Sequence, residues 1–317
     1  MPENKMQPVR KGILLAVAVA AAAPLAFGQF GGKEGDVVIF MLTSKGKGGL
    51  TLTSPTTPNS AANVNNLQIL DPRAMPLDPA AQPGIFFPNY QLKVLHDEPN
   101  DKMQLLTNLE GLPTLHHMYL VTFKLFTLSG TRREYGDPGE AIMDVPQNVF
   151  ASFYQGQDIG PNEALEREEA LVWTSKPTFP PFVPTPQGFH GSLNGPNKTG
   201  TQLLLDSATF PVEVPWTPVY KKYSSQAWKD GFDIKFLEED TVMGSVAQMI
   251  RVRAGTTTPT FRIDGATHFY LVQGNARINL AAGQSVVFPY FNYAFVPNGL
   301  SFSISNPRTY NGPTSAQ

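Results

Sequence analysis

Cysteine is absent from this 317-residue chain, which excludes disulfides, thiolate metal sites, iron–sulfur clusters and a cysteine nucleophile. A basic excess is absent as well, since 24 Lys and Arg residues stand against 26 Asp and Glu residues, for a net charge of -2. Without a basic field, the chain is not expected to bind nucleic acid. No Gly-x-Ser-x-Gly or His-Glu-x-x-His signature occurs either, and we expect no cofactor.

Long apolar runs are scarce. The clearest one, from Ile13 to about Ala23, is shorter than the roughly 20 residues that a membrane-spanning helix needs. It follows three basic residues and precedes Ala26-Phe27-Gly28, which has the small-x-small pattern of a cleavage site. Residues 1–28 therefore predict an export signal, with an uncleaved anchor as the alternative. We expect a periplasmic or extracellular protein with no membrane span after cleavage.

The remaining pattern predicts an all-β protein, with short runs of Val, Ile, Phe and Tyr bounded by Gly, Pro, Asn or Asp. Residues 162–172 predict one helix, with Asn162 as its N-cap and its glutamates on a solvated face. Two acidic groups, at 97–101 and 238–240, predict solvated turns. Residues 174–219 are rich in proline and predict a stiff linker between two halves.

An internal repeat links the two halves of the chain. Gly111, Gly130 and Gly139 correspond to Gly255, Gly274 and Gly283, with each pair separated by 144 residues. Strand positions coincide under the same offset, and residues 92–98 resemble residues 234–240 with a shift of two. We predict a duplicated unit, and expect residues 105–150 and 249–295 to form two barrels with the same strand order.

The second unit resembles the cupin family in the spacing of its two motifs. The first motif reads Gly255, five residues, Phe261-Arg262-Ile263, three residues, Thr267, six residues and Gly274; the second runs from Gly283 through Pro289 and Ala294 to Asn298. The first unit fits the same frame more loosely from Gly111. The resemblance implies two cupin-like jelly-roll barrels joined by the proline-rich linker.

Four positions that bind the metal in that family have changed here. The second unit has Phe261, Ile263, Thr267 and Ala294, whereas the first has His117, Tyr119, Phe123 and Ala151. The resemblance implies three imidazoles and a carboxylate on one ion, and neither set can supply them. We therefore expect no metal, and activities of the family that depend on one do not carry over.

Strand parity selects the candidate ligand-binding residues. His117 and Tyr119 should point into the first barrel, where a buried imidazole and phenol need hydrogen-bond partners from backbone or from a bound small molecule. Thr267 and Asn292 form a weaker second candidate in an otherwise apolar second barrel. His268, next to Thr267, should face away from the interior.

The resulting organisation has five parts. They are a signal peptide at 1–28, an N-terminal extension at 29–91 packed on the first barrel, the first barrel at 92–173, the linker at 174–219 and the second barrel at 220–317. We favour an exported small-molecule-binding or structural protein without catalytic activity. The alternative is a divergent enzyme that acts on a sugar or small organic acid without the usual metal. Self-association into a homo-oligomer stays open.

Overall fold

A computed structural model describes residues 33–78, 90–111, 113–135, 141–156, 158–159, 161–175, 182–184, 208–225, 227–241, 243–281 and 283–307. The predicted export signal, Gly139 and most of the linker lie outside these residues. The regular secondary structure of the described part is almost entirely antiparallel strand, as the sequence predicted. Its two short helices are α1 (Ala61–Asn66) and α2 (Val219–Lys222). Neither of these helices is long or apolar enough to cross a membrane.

The second barrel consists of two sheets, whose strands are numbered in chain order. The seven-stranded sheet has the order β16 (Thr217–Pro218), β17 (Phe232–Asp240), β18 (Ser245–Val252), β1 (Val37–Ser44), β20 (Ala266–Gln273), β23 (Tyr293–Val296) and β3 (Gln68–Leu70). The five-stranded sheet has the order β2 (Leu50–Leu52), β19 (Phe261–Ile263), β24 (Phe302–Ser305), β21 (Ala276–Leu280) and β22 (Ser285–Phe288).

The first barrel repeats this arrangement. Its six-stranded sheet has the order β15 (Ala208–Thr209), β10 (Phe150–Phe153), β7 (Phe123–Ser129), β13 (Glu168–Thr174), β5 (Asp101–Asn108) and β4 (Tyr90–Glu98). The opposite face has two three-stranded sheets. These are β11 (Asp158–Ile159), β6 (His117–Tyr119) and β14 (Phe182–Pro184), and then β12 (Asn162–Ala164), β8 (Arg132–Tyr135) and β9 (Ala141–Val145).

The predicted duplication is confirmed at the level of strand order. The order β4-β5-β13-β7-β10-β15 in the first barrel matches β17-β18-β1-β20-β23-β3 in the second. Strands β5 and β18 start and end 144 residues apart, and so do β6 and β19. Strands β4 and β17 each carry a register shift at equivalent positions, after Val94 and Phe236. The all-β, two-barrel prediction is therefore correct.

Three apolar clusters fill the molecule. The first lies inside the second barrel, and a smaller one lies inside the first barrel. The third lies between the barrels and joins the outer faces of the two large sheets. Strand β1 contributes to two of them, because alternate side chains point to opposite faces. Val37, Ile39 and Met41 enter the second barrel, whereas the alternate residues Val38, Phe40 and Leu42 pack between the barrels. The two barrels therefore share one continuous apolar interface.

The structure corrects two assignments made from the sequence. The N-terminal extension was expected to pack on the first barrel, but β1 pairs with β18 and β20 at the centre of the second barrel's sheet. The outer face of β1 reaches the first barrel, and the end of the extension does pack on that barrel, since the Asp78 amide donates to the Leu92 carbonyl and the Lys93 side chain donates to the Arg73 carbonyl. The 174–219 segment is also more than a linker, since β14 pairs with β6 and β15 pairs with β10, both in the first barrel.

The helix predicted at 162–172 is wrong. This segment forms β12 and β13, and β13 is the central strand between β5 and β7. The error arose because Glu168 was assigned to a solvated face, whereas it is completely buried and forms an ion pair with Arg132. With Glu168 counted as an inward residue, the alternation of a strand becomes visible: Glu168, Ala170 and Val172 face the first barrel's interior.

Candidate ligand site in the first barrel

His117 and Tyr119 lie together inside the first barrel, as strand parity predicted. The Nδ1 atom of His117 donates to the carbonyl oxygen of Leu115 at 2.7 Å. Its Nε2 atom is left to accept from the Tyr119 hydroxyl, at a long 3.5 Å. Burial lowers the pKa of His117 to about 4, so the imidazole is neutral at pH 7. The Leu115 carbonyl therefore satisfies one nitrogen of the His117 ring, and the Tyr119 hydroxyl reaches the other only at a long distance.

A buried ion-pair cluster occupies the same interior. Arg132 and Glu134 project inward from β8, and Glu168 projects inward from β13; all three are at most 3% exposed. The guanidinium Nε of Arg132 donates to Oε1 of Glu134 at 2.5 Å, and one terminal nitrogen donates to Oε1 of Glu168 at 2.9 Å. One arginine thus holds two carboxylates, and none of these three residues was predicted from the sequence to belong to a site.

Amides and hydroxyls complete this polar interior. The Asn108 side chain donates to Oε2 of Glu168 at 3.4 Å, and the Tyr90 hydroxyl donates to Oδ1 of Asn162 at 3.3 Å. Burial raises the pKa of Tyr90, Tyr119 and Glu134. We call the set of Tyr90, Asn108, His117, Tyr119, Arg132, Glu134, Asn162 and Glu168 the polar cluster.

An aromatic wall adjoins the polar cluster. The Tyr119 ring stacks on Phe153, with centroids 5.1 Å apart and planes 16° apart, and lies 5.0 Å from the ring of Phe123. Leu92, Leu106 and Leu125 pack against these rings. The interior of the first barrel is thus divided into an apolar part and a polar part, a division typical of small-molecule sites.

The second pair of sequence candidates, Thr267 and Asn292, is not brought near the polar cluster. Thr267 is fully buried in the second barrel, and its hydroxyl bonds to the Thr43 hydroxyl and the Gly265 carbonyl at 3.1 and 3.2 Å. Asn292 is half-buried, and its backbone bonds with Pro289 and Leu271. A weaker second site formed by Thr267 and Asn292 in the second barrel therefore stays a prediction.

The interior of the second barrel is apolar at the positions that are polar in the first. Under the offset of 144, four members of the polar cluster, Asn108, His117, Arg132 and Glu134, correspond to Val252, Phe261, Ala276 and Ile278. Glu168 corresponds to Val37, because these residues pair with Asn108 and Val252 respectively. All five counterparts belong to the apolar cluster inside the second barrel. One fold thus accommodates two different interiors.

Comparison with solved structures gives distant matches only. An oxalate decarboxylase from Lactobacillus farciminis, solved as a formate complex, has 11% identity and a TM-score of 0.44, with 75% of this chain and 81% of that chain covered. A 7S globulin from Momordica charantia has 11% identity and a TM-score of 0.47, covering 74% and 79%. A putative dioxygenase from Nostoc punctiforme has 11% identity and a TM-score of 0.46, covering 86% and 94%. No protein-family model matches the sequence, and no curated protein is significantly similar to it.

The repeated strand order and the motif spacing decide the fold class. The chain has an all-β fold of two jelly-roll barrels, and its motif spacing resembles that of cupins. The positions that this resemblance assigns to a metal have other partners here. In the second barrel, Phe261, Ile263 and Ala294 are packed in the apolar interior, and the hydroxyl of Thr267 is already bonded.

At the corresponding positions of the first barrel, the single imidazole is that of His117, and both nitrogens of this ring bond within the protein. Within the described ranges, no group of three or more His, Asp and Glu side chains is arranged to hold an ion. The residues at these positions therefore do not fit the metal that the cupin resemblance implies.

A second polar cluster lies between the barrels. Asp101 accepts hydrogen bonds from Trp173 at 2.7 Å, from Nε2 of His268 at 2.8 Å and from Ser44 at 2.6 Å. The Nδ1 atom of His268 accepts from the Tyr293 hydroxyl at 2.8 Å. His268 thus faces away from the barrel interior, as predicted. Asp101 was assigned to a solvated turn, which is wrong, because it is 2% exposed.

Proposed function

We propose that this protein is exported, and that its first cupin barrel binds a small molecule through the polar cluster without a metal. Export is supported by the basic, apolar and small-residue pattern of residues 1–28. The binding role is supported by convergent polar groups beside an aromatic wall. These groups come from strands on both faces of the barrel, so the fold positions them rigidly.

The contrast between the two interiors carries this proposal. The second barrel shows that the fold is built with apolar side chains at the corresponding positions. Burying an arginine and two glutamates brings a desolvation cost that packed apolar residues avoid. A polar cluster that the fold does not require is therefore best explained by a ligand that it recognises. A purely structural ion-pair network is the competing explanation.

Ligand screening on the chain from residue 29 onward tests the proposal. We expect one chemical class among amines, polyols, sugars and carboxylic acids to raise the melting temperature and to perturb NMR signals of the first barrel. His117→Phe, which copies Phe261, and Tyr119→Phe should weaken this binding. Ile263→Val in the second barrel is the matched control and should leave it unchanged. The proposal fails if no class binds, or if binding survives both variants.

A catalytic role is the second candidate. Its support is that His117 and Glu134 have pKa values shifted by burial and occupy one polar interior, a combination that is common at active sites. NMR analysis of the screened molecules after prolonged incubation would detect a product. Loss of product with Glu134→Gln at a ligand concentration that saturates the variant would favour the enzyme. Unchanged ligands throughout would favour the binding protein.

A further inference from the structure

The buried charges of the polar cluster do not balance. Arg132 contributes one positive charge, whereas Glu134 and Glu168 contribute two negative charges when both are ionised. His117 does not compensate, since burial keeps its imidazole neutral at pH 7. An uncompensated charge in a low-dielectric interior is costly and takes up a proton or a counterion. The cluster therefore lacks one positive charge when both glutamates are ionised.

One atom is the natural place for that charge. Both oxygens of Glu168 accept hydrogen bonds, from Arg132 and from Asn108. Glu134 uses only Oε1, toward Arg132, and its Oε2 is fully buried with no hydrogen-bond partner. The Asn162 side chain lies near enough to favour the ionised form of Glu134, but it does not reach Oε2 with bonding geometry. Oε2 of Glu134 is thus a buried hydrogen-bond acceptor without a donor from the protein.

The surroundings of the cluster suit an organic cation better than an anion. The Tyr90 and Tyr119 hydroxyls lie within the electrostatic reach of Glu134 and Glu168 and offer additional oxygen acceptors. The stacked rings of Tyr119 and Phe153 provide aromatic faces, which attract ammonium groups. A carboxylic acid ligand would meet an excess of negative charge. A neutral polyol would satisfy Oε2 but leave the charge uncompensated.

On the basis of the proposed function, we propose that the ligand is a small organic monocation, an alkylammonium, whose N–H donates to Oε2 of Glu134. The ammonium balances the second carboxylate of the cluster, while its carbon atoms lie against the aromatic wall. A proton competes with it for the same oxygen, because burial raises the pKa of Glu134. Binding therefore releases a proton from the fraction of molecules in which Glu134 is protonated, and affinity falls as the pH falls.

Three probes of matched size separate charge from shape: ethanolamine, ethylene glycol and glycolate. NMR titration of the mature chain should give the tightest binding for ethanolamine and none for glycolate. Glu134→Gln should weaken ethanolamine binding by about tenfold or more, the size expected for a hydrogen bond to a charged group. Glu166→Gln, at an exposed glutamate near β13, is the control and should have no effect.

The outcomes distinguish this inference from the proposed function. Tighter binding of ethylene glycol or glycolate than of ethanolamine would overturn the inference and leave a ligand site in the first barrel. Absence of binding for all three probes and for the wider screen would overturn both. If Glu134→Gln does not fold, calorimetry of ethanolamine binding to the unmodified protein in two buffers of different ionisation enthalpy measures the proton release. Zero release across the pH range where binding weakens would contradict the inference.

Discussion

Two adjacent arginines on β8 show how strongly position decides the role of a charged residue. Arg132 is buried and holds Glu134 and Glu168, whereas Arg133 points outward and pairs with Asp144 at the surface. Arg132 and the two buried glutamates depend on one another, because removal of the arginine leaves uncompensated charge in the interior. The surface pair is screened by solvent and contributes little.

Arg132→Met should therefore lower the free energy of unfolding by about 3–5 kcal/mol, since it leaves two buried carboxylates without their cation. Urea denaturation of the purified protein measures the change. Arg133→Met is the matched control and should cause a clearly smaller loss. Equal losses for the two variants would mean that the buried cluster is not an interdependent unit.

His117 makes stability depend on pH. Its pKa is about 4 in the folded protein, against the ordinary value of 6.5 for histidine, because burial disfavours the charged form. A lowered pKa gives stability that is fully present above the unfolded value and is lost as the pH falls toward the folded value. A shift of this size corresponds to about 3 kcal/mol between pH 7 and pH 4.

His117→Phe should remove that part of the pH dependence. The variant and the unmodified protein are compared by urea denaturation at pH 7 and at pH 4.5, where other acidic and basic groups contribute equally to both. The unmodified protein should lose more stability between the two pH values than the variant does. Parallel losses would show that His117 is not held in its neutral form.

At the residue scale, parity predicted the inward positions of His117 and Tyr119 but missed Arg132, Glu134 and Glu168. Charged residues are mostly exposed in folded proteins, so their residue types alone did not indicate burial. A signal was nevertheless available. Under the offset of 144, Arg132 and Glu134 fall on Ala276 and Ile278, which alternate in a strand with an apolar inner face. The repeat could therefore have located the buried charges.

The close packing of strands explains why Gly130 and Gly274 occur at equivalent positions in the two barrels. Gly130 and Gly274 have the same positive φ of 78° and close the same strand in each barrel. An added Cβ would lie 2.5 Å from the Arg167 carbonyl oxygen at Gly130, and 2.7 Å from the Asp36 carbonyl oxygen at Gly274. Both contacts are with the residue just before the central inserted strand, β13 or β1. The glycines thus allow that strand to pack closely.

Gly274→Ala should destabilise the protein more than Gly283→Ala. Both residues have a positive φ, which costs an alanine about 1–2 kcal/mol. At Gly283 no atom lies within 4 Å of the added Cβ, so the only cost of the alanine is the unfavourable positive φ. At Gly274 the clash with the Asp36 backbone adds to it. Thermal unfolding of both variants measures the difference, and equal melting temperatures would argue against the close approach of β1.

The place of β1 could not be predicted from the sequence. Its eight residues are all buried, and a continuous apolar run identifies a central strand without naming its neighbours. Its partners β18 and β20 lie about 200 residues further along the chain. In the first barrel, the equivalent position is filled by β13, which is local in sequence. The repeated strands were predictable because their own periodicity and bounding glycines define them.

At the scale of the whole molecule, polar groups also cross the interface between the barrels. Lys124, the counterpart of His268 under the offset of 144, forms ion pairs with Glu238 and Asp240 of the second barrel. His268 in turn bonds to Asp101 of the first barrel. Lys124 and His268 are counterparts under the internal repeat, so each barrel offers a nitrogen group from the same position to an acidic group of the other. These contacts and the shared apolar cluster fix the relative position of the barrels.

The central claim is that the polar cluster serves a ligand and is not required by the fold. The most direct test is the unfolding free energy of the triple variant Arg132→Met, Glu134→Leu, Glu168→Leu, which gives the first barrel an apolar interior like that of the second. We predict a folded protein whose unfolding free energy is within about 1–2 kcal/mol of the unmodified chain, or higher, since packed apolar residues replace buried ion pairs without loss. A loss above about 3 kcal/mol, or failure to fold, would show that the cluster is structural and would contradict the account.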